Sequence, residues 1–202
     1  MTKQIIAIDA DGVMLDYNLA YARAWERTFG VHPVEINPDA YWATERWDIK
    51  QLTGADLVNF RSSFNEEFWT TVPMLEGVFE ACDLLHKAGY ELVCVTAIDD
   101  EHRDYRHQNL LGHGLPIDRV ISVGNAHHVA GQSPKATALA ELKPIAFVDD
   151  YLPYFKGVDT SIHKALIMRT SNSKHPNQGE DLNTINTQHP NLLDFSKFWL
   201  KM

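Results

Sequence analysis

Two carboxylates stand two residues apart, Asp9 and Asp11, directly after the apolar run Ile5 to Ile8. A second acidic pair, Asp149 and Asp150, follows the apolar run Ile145 to Val148. Both pairs lie where a buried strand would end, and in open α/β sheets ligands bind beyond the carboxyl ends of the strands. Carboxylates from two strands converging on one edge repel each other unless a cation or a shared proton sits among them. Mg²⁺ suits such a set, because it is a hard cation that takes oxygen ligands and is completed by water and a substrate phosphate. Thr96, after the apolar run from Glu91 to Val95, adds a hydroxyl at the same edge, and Lys135 in Ser133-Pro134-Lys135 can bring a positive charge to it.

Each residue has a plainer explanation when taken alone. Asp after a strand often caps a helix, paired Asp residues are common in solvated loops, Thr is frequent in strands, and a Lys in a first helical turn is often a surface residue. What favours the chemical reading is that all of them fall at strand ends or at the start of the following helix.

The elements that must position these residues are legible as short Ile- and Val-rich runs alternating with helical patterns, the signature of a parallel sheet covered on both faces. Strands are expected at 4–8, 91–95, 119–123, 144–148 and 164–168. Helices are expected at 77–88, at 100–111, and at 134–142, where Pro134 opens the helix without losing a hydrogen bond. The interval from Tyr17 to Val72 breaks this rhythm and holds four of the five tryptophans. It reads as a helical insertion. Asp16 can cap a first helix that carries Tyr17, Tyr21, Trp25 and Phe29 on one face and stops at Gly30; a second begins after Thr53, and a third includes 65–69. Trp25, Trp42 and Trp47 could pack in a core or offer a flat face to a base. The polar stretch from Ser171 to Gln188 is expected to be an exposed loop, and the last dozen residues a closing helix.

Composition limits the partners. The 202 residues are 45% hydrophobic and carry 18 Lys and Arg against 27 Asp and Glu, a net charge of −9. That sign argues against a nucleic-acid polymer or an anionic membrane surface and leaves a small phosphorylated metabolite admissible. No apolar run approaches the roughly 18 residues of a membrane span. The start lacks a signal peptide's pattern, so a cytoplasmic protein, monomer or homodimer, is expected. The spacing of the ten histidines, including His127 and His128, fits no zinc site, and Cys82 and Cys94 read as inert core residues.

Taken in order, the DADGVMLD stretch with Asp9 and Asp11, Thr96 after its strand, Lys135 in SPKATAL and the Asp149-Asp150 pair in IAFVDD resemble the four motifs of the haloacid dehalogenase-like phosphohydrolases. The resemblance implies a Rossmann-like α/β core made of 1–16 and 73–202, with 17–72 as a helical cap. It implies that Asp9 accepts the phosphoryl group, that Asp11 acts as general acid and then base, that Thr96 and Ala97 contact the substrate phosphate, and that Lys135 neutralises it. Asp9, the Asp11 backbone carbonyl, Asp149 and Asp150 would hold Mg²⁺, with Asp150 as the direct ligand of the second pair. Phosphate-transferring relatives share the second Asp of the first motif, whereas dehalogenating relatives lack it. One departure is Tyr154, four positions after Asp150, where many relatives carry an acidic or amide residue. The spacing around Asp9 also resembles the deoxyribonucleotidase branch, so a nucleoside monophosphate is the substrate expected. A phosphotransferase or mutase, or a phosphoryl-accepting switch that turns nothing over, remain alternatives at this level.

Overall fold

In the computed structural model, which describes residues 3–124, 131–169 and 175–202, burial along the strands follows the alternation that a sheet covered on both faces requires. On β1 (Ile5–Ile8) the side chains of Ile6 and Ile8 join one apolar core and Ala7 the other; on β2 (Glu91–Thr96) Leu92 and Cys94 take the first side and Val93 and Val95 the second. β3 (Arg119–Ser122), β4 (Ala146–Asp149), β5 (His163–Ile167) and β6 (Thr187–His189) complete a six-stranded sheet in the order β3-β2-β1-β4-β5-β6, parallel throughout. The order reverses direction between β1 and β4. At such a point the connections leave to opposite sides and open a crevice at the carboxyl ends of the two strands.

Between β1 and β2 lie α1 (Tyr17–Phe29), α2 (Ala43–Arg46), α3 (Gly54–Ser62), α4 (Glu66–Thr70) and α5 (Val78–Lys87). Asp16 caps α1 by accepting from the Leu19 amide, and Gly30 ends it at φ 76°. Asn65 caps α4 through the Phe68 amide. The aromatic face of α1 packs on Phe60, Phe64 and Phe68 of the following segment. A 3₁₀ turn over Asp100–His102 precedes α6 (Arg103–Gly112), so the helix expected from residue 100 starts three residues later. α7 (Pro134–Leu142) begins with Pro134 after Ser133, whose hydroxyl accepts from the Lys135 amide, and α8 (Leu192–Trp199) packs on α5.

The stretch 171–188 departs in part from the expected exposed loop, although Gln178 to Asp181 are exposed as expected. Residues 171–174, like His127 and His128, lie outside the described residues, but His175 and Asn177 are buried, a 3₁₀ turn covers Glu180–Thr184, and Thr187–His189 forms the sixth strand. A three-residue polar edge strand has no apolar signature to announce it; its pairing comes from the exposed edge of β5. Among the tryptophans, Trp25, Trp47 and Trp69 are buried, and Trp42 is 47% exposed. Trp25 and Trp47 therefore belong to the core and offer no face to a ligand. Cys82 and Cys94 are buried and free, and burial pushes the Cys82 thiol up to about 12, out of the reactive range. No helix among the described residues is long and apolar enough to cross a membrane.

Candidate active site

The register of β1 and β4 brings Asp9 alongside Asp149: Ile8 pairs with Val148, and the Asp9 amide donates to the Val148 carbonyl at 2.9 Å. Oxygens of Asp9, Asp149 and Asp150 lie within 4.8 Å of one another, all three side chains being buried. Lys135 reaches this group from the first turn of α7. Its ammonium stands 2.7 Å from Asp9 Oδ1 and 2.6 Å from Asp149 Oδ2, and the residue is wholly buried. Burial favours the neutral amine; the carboxylates of Asp149 and Asp9 outweigh it and hold the Lys135 pKa above the ordinary value. The plainer expectation of a surface lysine therefore fails for Lys135.

The carboxylates divide the work unequally. Asp149 has both oxygens occupied, Oδ2 by Lys135 and Oδ1 by the Tyr151 amide at 2.8 Å. Among the described residues, Asp9 Oδ2 meets no hydrogen-bond donor, and the Asp150 carboxylate has only a 3.4 Å bond from the Tyr41 hydroxyl and Arg169 at 3.6 Å. Burial, opposed by Arg169, pushes Asp150 up to about 7. A cation placed among these oxygens would meet hard ligands from Asp9 and Asp150, while Asp149 serves mainly to hold Lys135. Such a donor set fits Mg²⁺.

Gly12 is what allows the first motif to lie against the second. Its φ is +84°, and a Cβ there would fall 1.8 Å from Asp150 Oδ2. The Gly12 amide closes a tight turn on the Leu15 carbonyl at 2.8 Å, and the Met14 and Leu15 amides both donate to the Ala10 carbonyl. Asp11 rides on this turn. Both its oxygens accept from Arg106 Nη2, each at 2.8 Å. Burial raises the Asp11 pKa against the lowering pull of Arg106.

Thr96 ends β2, beside β1, and is buried; its hydroxyl makes no hydrogen bond with a described residue. Ala97 follows it, half-buried. The structure thus brings Asp9 and Asp149 into contact with Lys135, sets Asp150 within 4.8 Å of both carboxylates, places Thr96 and Ala97 at the end of the neighbouring strand, and turns Asp11 toward Arg106.

Arg106, Asn177 and Arg169 escaped sequence reasoning, and Tyr154 stood there only as a departure from the motif. Arg106 lies on the buried face of α6 with Asn109 and Leu110; an arginine four residues before a core leucine was the signal available. Asn177, 27 residues after Asp150, donates to the Asp150 carbonyl at 2.6 Å and accepts from the Leu152 amide at 2.7 Å, so it fixes the loop leaving β4. An amide thus supports this loop from the region expected to be exposed. Tyr154, the departure noted in the fourth motif, places its ring 4.4 Å from the Lys135 ammonium, a cation–π contact that helps a buried charge. Arg169 lies just past β5 and was masked by its position in a polar run.

Two adjoining cavities open beside Asp150. One, of about 130 Å³, is lined by Asp11, Gly12, Tyr17, Tyr41, Trp42 and Arg169 among others; the second, of about 240 Å³, shares Tyr41, Asp150 and Arg169 with it and adds Arg46 and His175. Both are roofed by residues of the segment between β1 and β2.

No protein-family model matches the sequence, and no curated protein matches it. Among solved structures, the chain is similar to a haloacid dehalogenase-like family hydrolase from Streptococcus pneumoniae, with a TM-score of 0.63, 16% identity and 98% of each chain covered. It is also similar to a HAD family hydrolase from Deinococcus radiodurans with bound phosphate and sodium, at TM-score 0.61 and 13% identity over 98% of this chain and 96% of that one. A third is the L-2-haloacid dehalogenase from Xanthobacter autotrophicus with chloropropionic acid covalently bound, at TM-score 0.60 and 12% identity over all of both chains. The fold is that of the haloacid dehalogenase-like hydrolases.

Proposed function

We propose that this protein hydrolyses a small phosphomonoester through a covalent phosphoryl group on Asp9, with Mg²⁺ at the carboxylate edge. The observation that carries this reading is the asymmetry of Asp9: Oδ1 is held by the Lys135 ammonium, while Oδ2 meets no donor among the described residues and is left to act. Asp11, two residues on, separates this reading from halide displacement, because an alkoxide leaving group needs a proton and a halide does not.

In the first step Asp9 Oδ2 forms a bond to phosphorus as the ester P–O bond breaks, and the departing oxygen takes a proton from the Asp11 carboxyl. In the second, a water oxygen attacks the same phosphorus, Asp11 takes the water's proton, and the P–O bond to Asp9 breaks to release inorganic phosphate. Lys135 balances charge on Asp9 and the phosphoryl oxygens throughout, and Thr96 and Ala97 hold the phosphoryl oxygens from the end of β2. Asp9, the Asp11 backbone carbonyl and Asp150 would hold Mg²⁺, with Asp149 completing the acidic set through Lys135; when bound, the ion supplies positive charge to the phosphoryl oxygens.

The segment 17–72 acts as the cap that covers the site and excludes water from the leaving group. Planar side chains at the cavity favour a planar leaving group: Tyr41 stacks on Tyr151 at 5.8 Å, and Trp42 stands edge-on to both and half-exposed. A nucleoside monophosphate is the substrate class this suits.

Phosphate release from a panel of phosphorylated metabolites, with Mg²⁺ and with a chelator, tests the reading. Release with Mg²⁺, its loss on chelation, and a fall of at least about 10³-fold in Asp9→Asn with the fold intact are expected. Undiminished turnover in Asp9→Asn would overturn the mechanism, and phosphate moved to an acceptor without free phosphate would show a transferase instead.

A further inference from the structure

Arg106 is wholly buried, yet only one of its three nitrogens has a hydrogen-bond partner among the described residues. Nη2 donates to both oxygens of Asp11, whereas Nε and Nη1 meet no acceptor. The guanidinium lies instead over the Trp69 ring, 5.2 Å from its centroid. An arginine retained for stability alone would satisfy more of its five donors, since each buried N–H without a partner costs free energy. Nor is a buried ion pair in itself a strong source of stability, because desolvation of the two charges offsets their attraction. What this arrangement does provide is direction. The cation stands behind Asp11, at 0% exposure, and the carboxylate stands in front of it at 26%, on the wall of the cavity that also holds Gly12, Tyr17, Tyr41 and Trp42.

The backbone and side chain of Asp11 are fixed by separate devices. The Ala10–Leu15 turn fixes the backbone through the Gly12 and Leu15 amides, and the Arg106 clamp fixes the side-chain torsion through paired 2.8 Å bonds. Arg106 comes from α6, 95 residues away in sequence, and Trp69 from α4, so the clamp is assembled from the sheet-covering layer on one side and the helical segment on the other.

We infer that Arg106 is the positioning residue for Asp11, holding its carboxyl group at the cavity wall where it meets the leaving-group oxygen. This rests on the function proposed above and adds to it a residue that touches neither substrate nor metal. Arg106 acts only through Asp11, so its loss matters in proportion to how much the leaving group needs a proton. Esters of poor leaving groups depend on a correctly placed acid, and a displacement of about 1 Å can cost about 100-fold. Esters of strongly acidic phenols do not depend on it.

The experiment compares kcat/KM for an alkyl phosphate and for 2,4-dinitrophenyl phosphate in wild type, Arg106→Lys and Arg106→Met, with melting curves confirming the fold. kcat/KM is the quantity to follow because it reports events through departure of the leaving group. The expected result is a loss of about 100-fold on the alkyl ester and less than about 3-fold on the dinitrophenyl ester, with Arg106→Lys less impaired than Arg106→Met. In an Asp11→Asn background, the same Arg106 substitutions are expected to add less than about 3-fold on either ester. Arg106→Lys keeps the buried charge and decides the matter should Arg106→Met fail to fold. Equal losses on both esters, or a full further loss in the Asp11→Asn background, would assign Arg106 a merely structural role and overturn the inference. A wild-type protein that hydrolyses neither ester would overturn the proposed function, and this inference with it; hydrolysis of both with parallel losses would overturn the inference alone.

Discussion

The carboxylate edge and the ring cluster around Phe60 in the segment between β1 and β2 both pack into the interior, yet they are held by opposite kinds of interaction. At the edge, Lys135 has two partners at 2.6 and 2.7 Å, and Arg106 has one carboxylate. Each of these two buried cations is held by named carboxylates at hydrogen-bond distance. In the aromatic segment, Phe60 lies within 5.0 to 6.1 Å, centroid to centroid, of Tyr21, Trp25, Phe29 and Phe64, and the rings meet at angles from 25° to 83°. Such contacts are numerous, weak and tolerant of geometry. The comparison teaches that the edge depends on a few short charge contacts, so it is the more brittle of the two, while the ring cluster spreads its packing over many weak contacts. A segment that selects substrates, the role proposed for 17–72, would benefit from that tolerance.

The largest effect should come from removing the shared cation. Lys135→Met leaves three carboxylates buried together, and a loss of about 3–5 kcal/mol in urea unfolding is expected. A loss under about 1 kcal/mol would show that the edge relaxes as readily as the aromatic cluster. Phe60→Leu sharpens the other side of the comparison: it removes part of one ring among many, so about 1 kcal/mol is expected by the same measurement. A loss rivalling that of Lys135→Met would show that the rings form a fixed jigsaw.

The smallest effect lies at the opposite end of the sheet. His163 begins β5, bonds Thr187 Oγ1 at 2.9 Å, and packs near Phe198 and Trp199. Burial, with His189 nearby, lowers its pKa from 6.5, so folding favours the neutral ring. The unfolded chain then takes up the proton first as pH falls. The contribution of His163 is complete above about pH 6.5 and is lost as pH drops from there through the lowered folded-state value. His163→Gln is expected to flatten the decline of the melting midpoint between about pH 7 and about pH 5 by a small margin while leaving turnover unchanged. An unaltered slope would show that this ring's titration does not contribute.

Much of the edge was legible before any fold was known. Asp9 and Asp149 follow unmistakable apolar runs, and Ser133-Pro134 marks the helix start that carries Lys135. The β6 strand was not legible, because three polar residues at a sheet edge carry no periodicity and their pairing depends on β5 being there to accept them. The shift of α6 to Arg103 follows from the 3₁₀ turn ahead of it, which local propensity alone does not distinguish from a first helical turn.

What the order of residues settles without reference to space is the chemistry available: carboxylates at strand ends, a lysine at a helix start, a glycine where the chain must turn sharply. These follow from local rules, since burial alternates with strand period and helices begin at caps. Pairings across distance belong to the tertiary structure alone. Arg106 finds Asp11 across 95 residues, Asn177 finds the Asp150 loop across 27, and Lys135 chooses Asp9 and Asp149 over Asp150. The physical reason is that a charge or amide in sequence has many possible partners, and only the sheet's strand order and the close approach at Gly12 reduce them to the one or two observed.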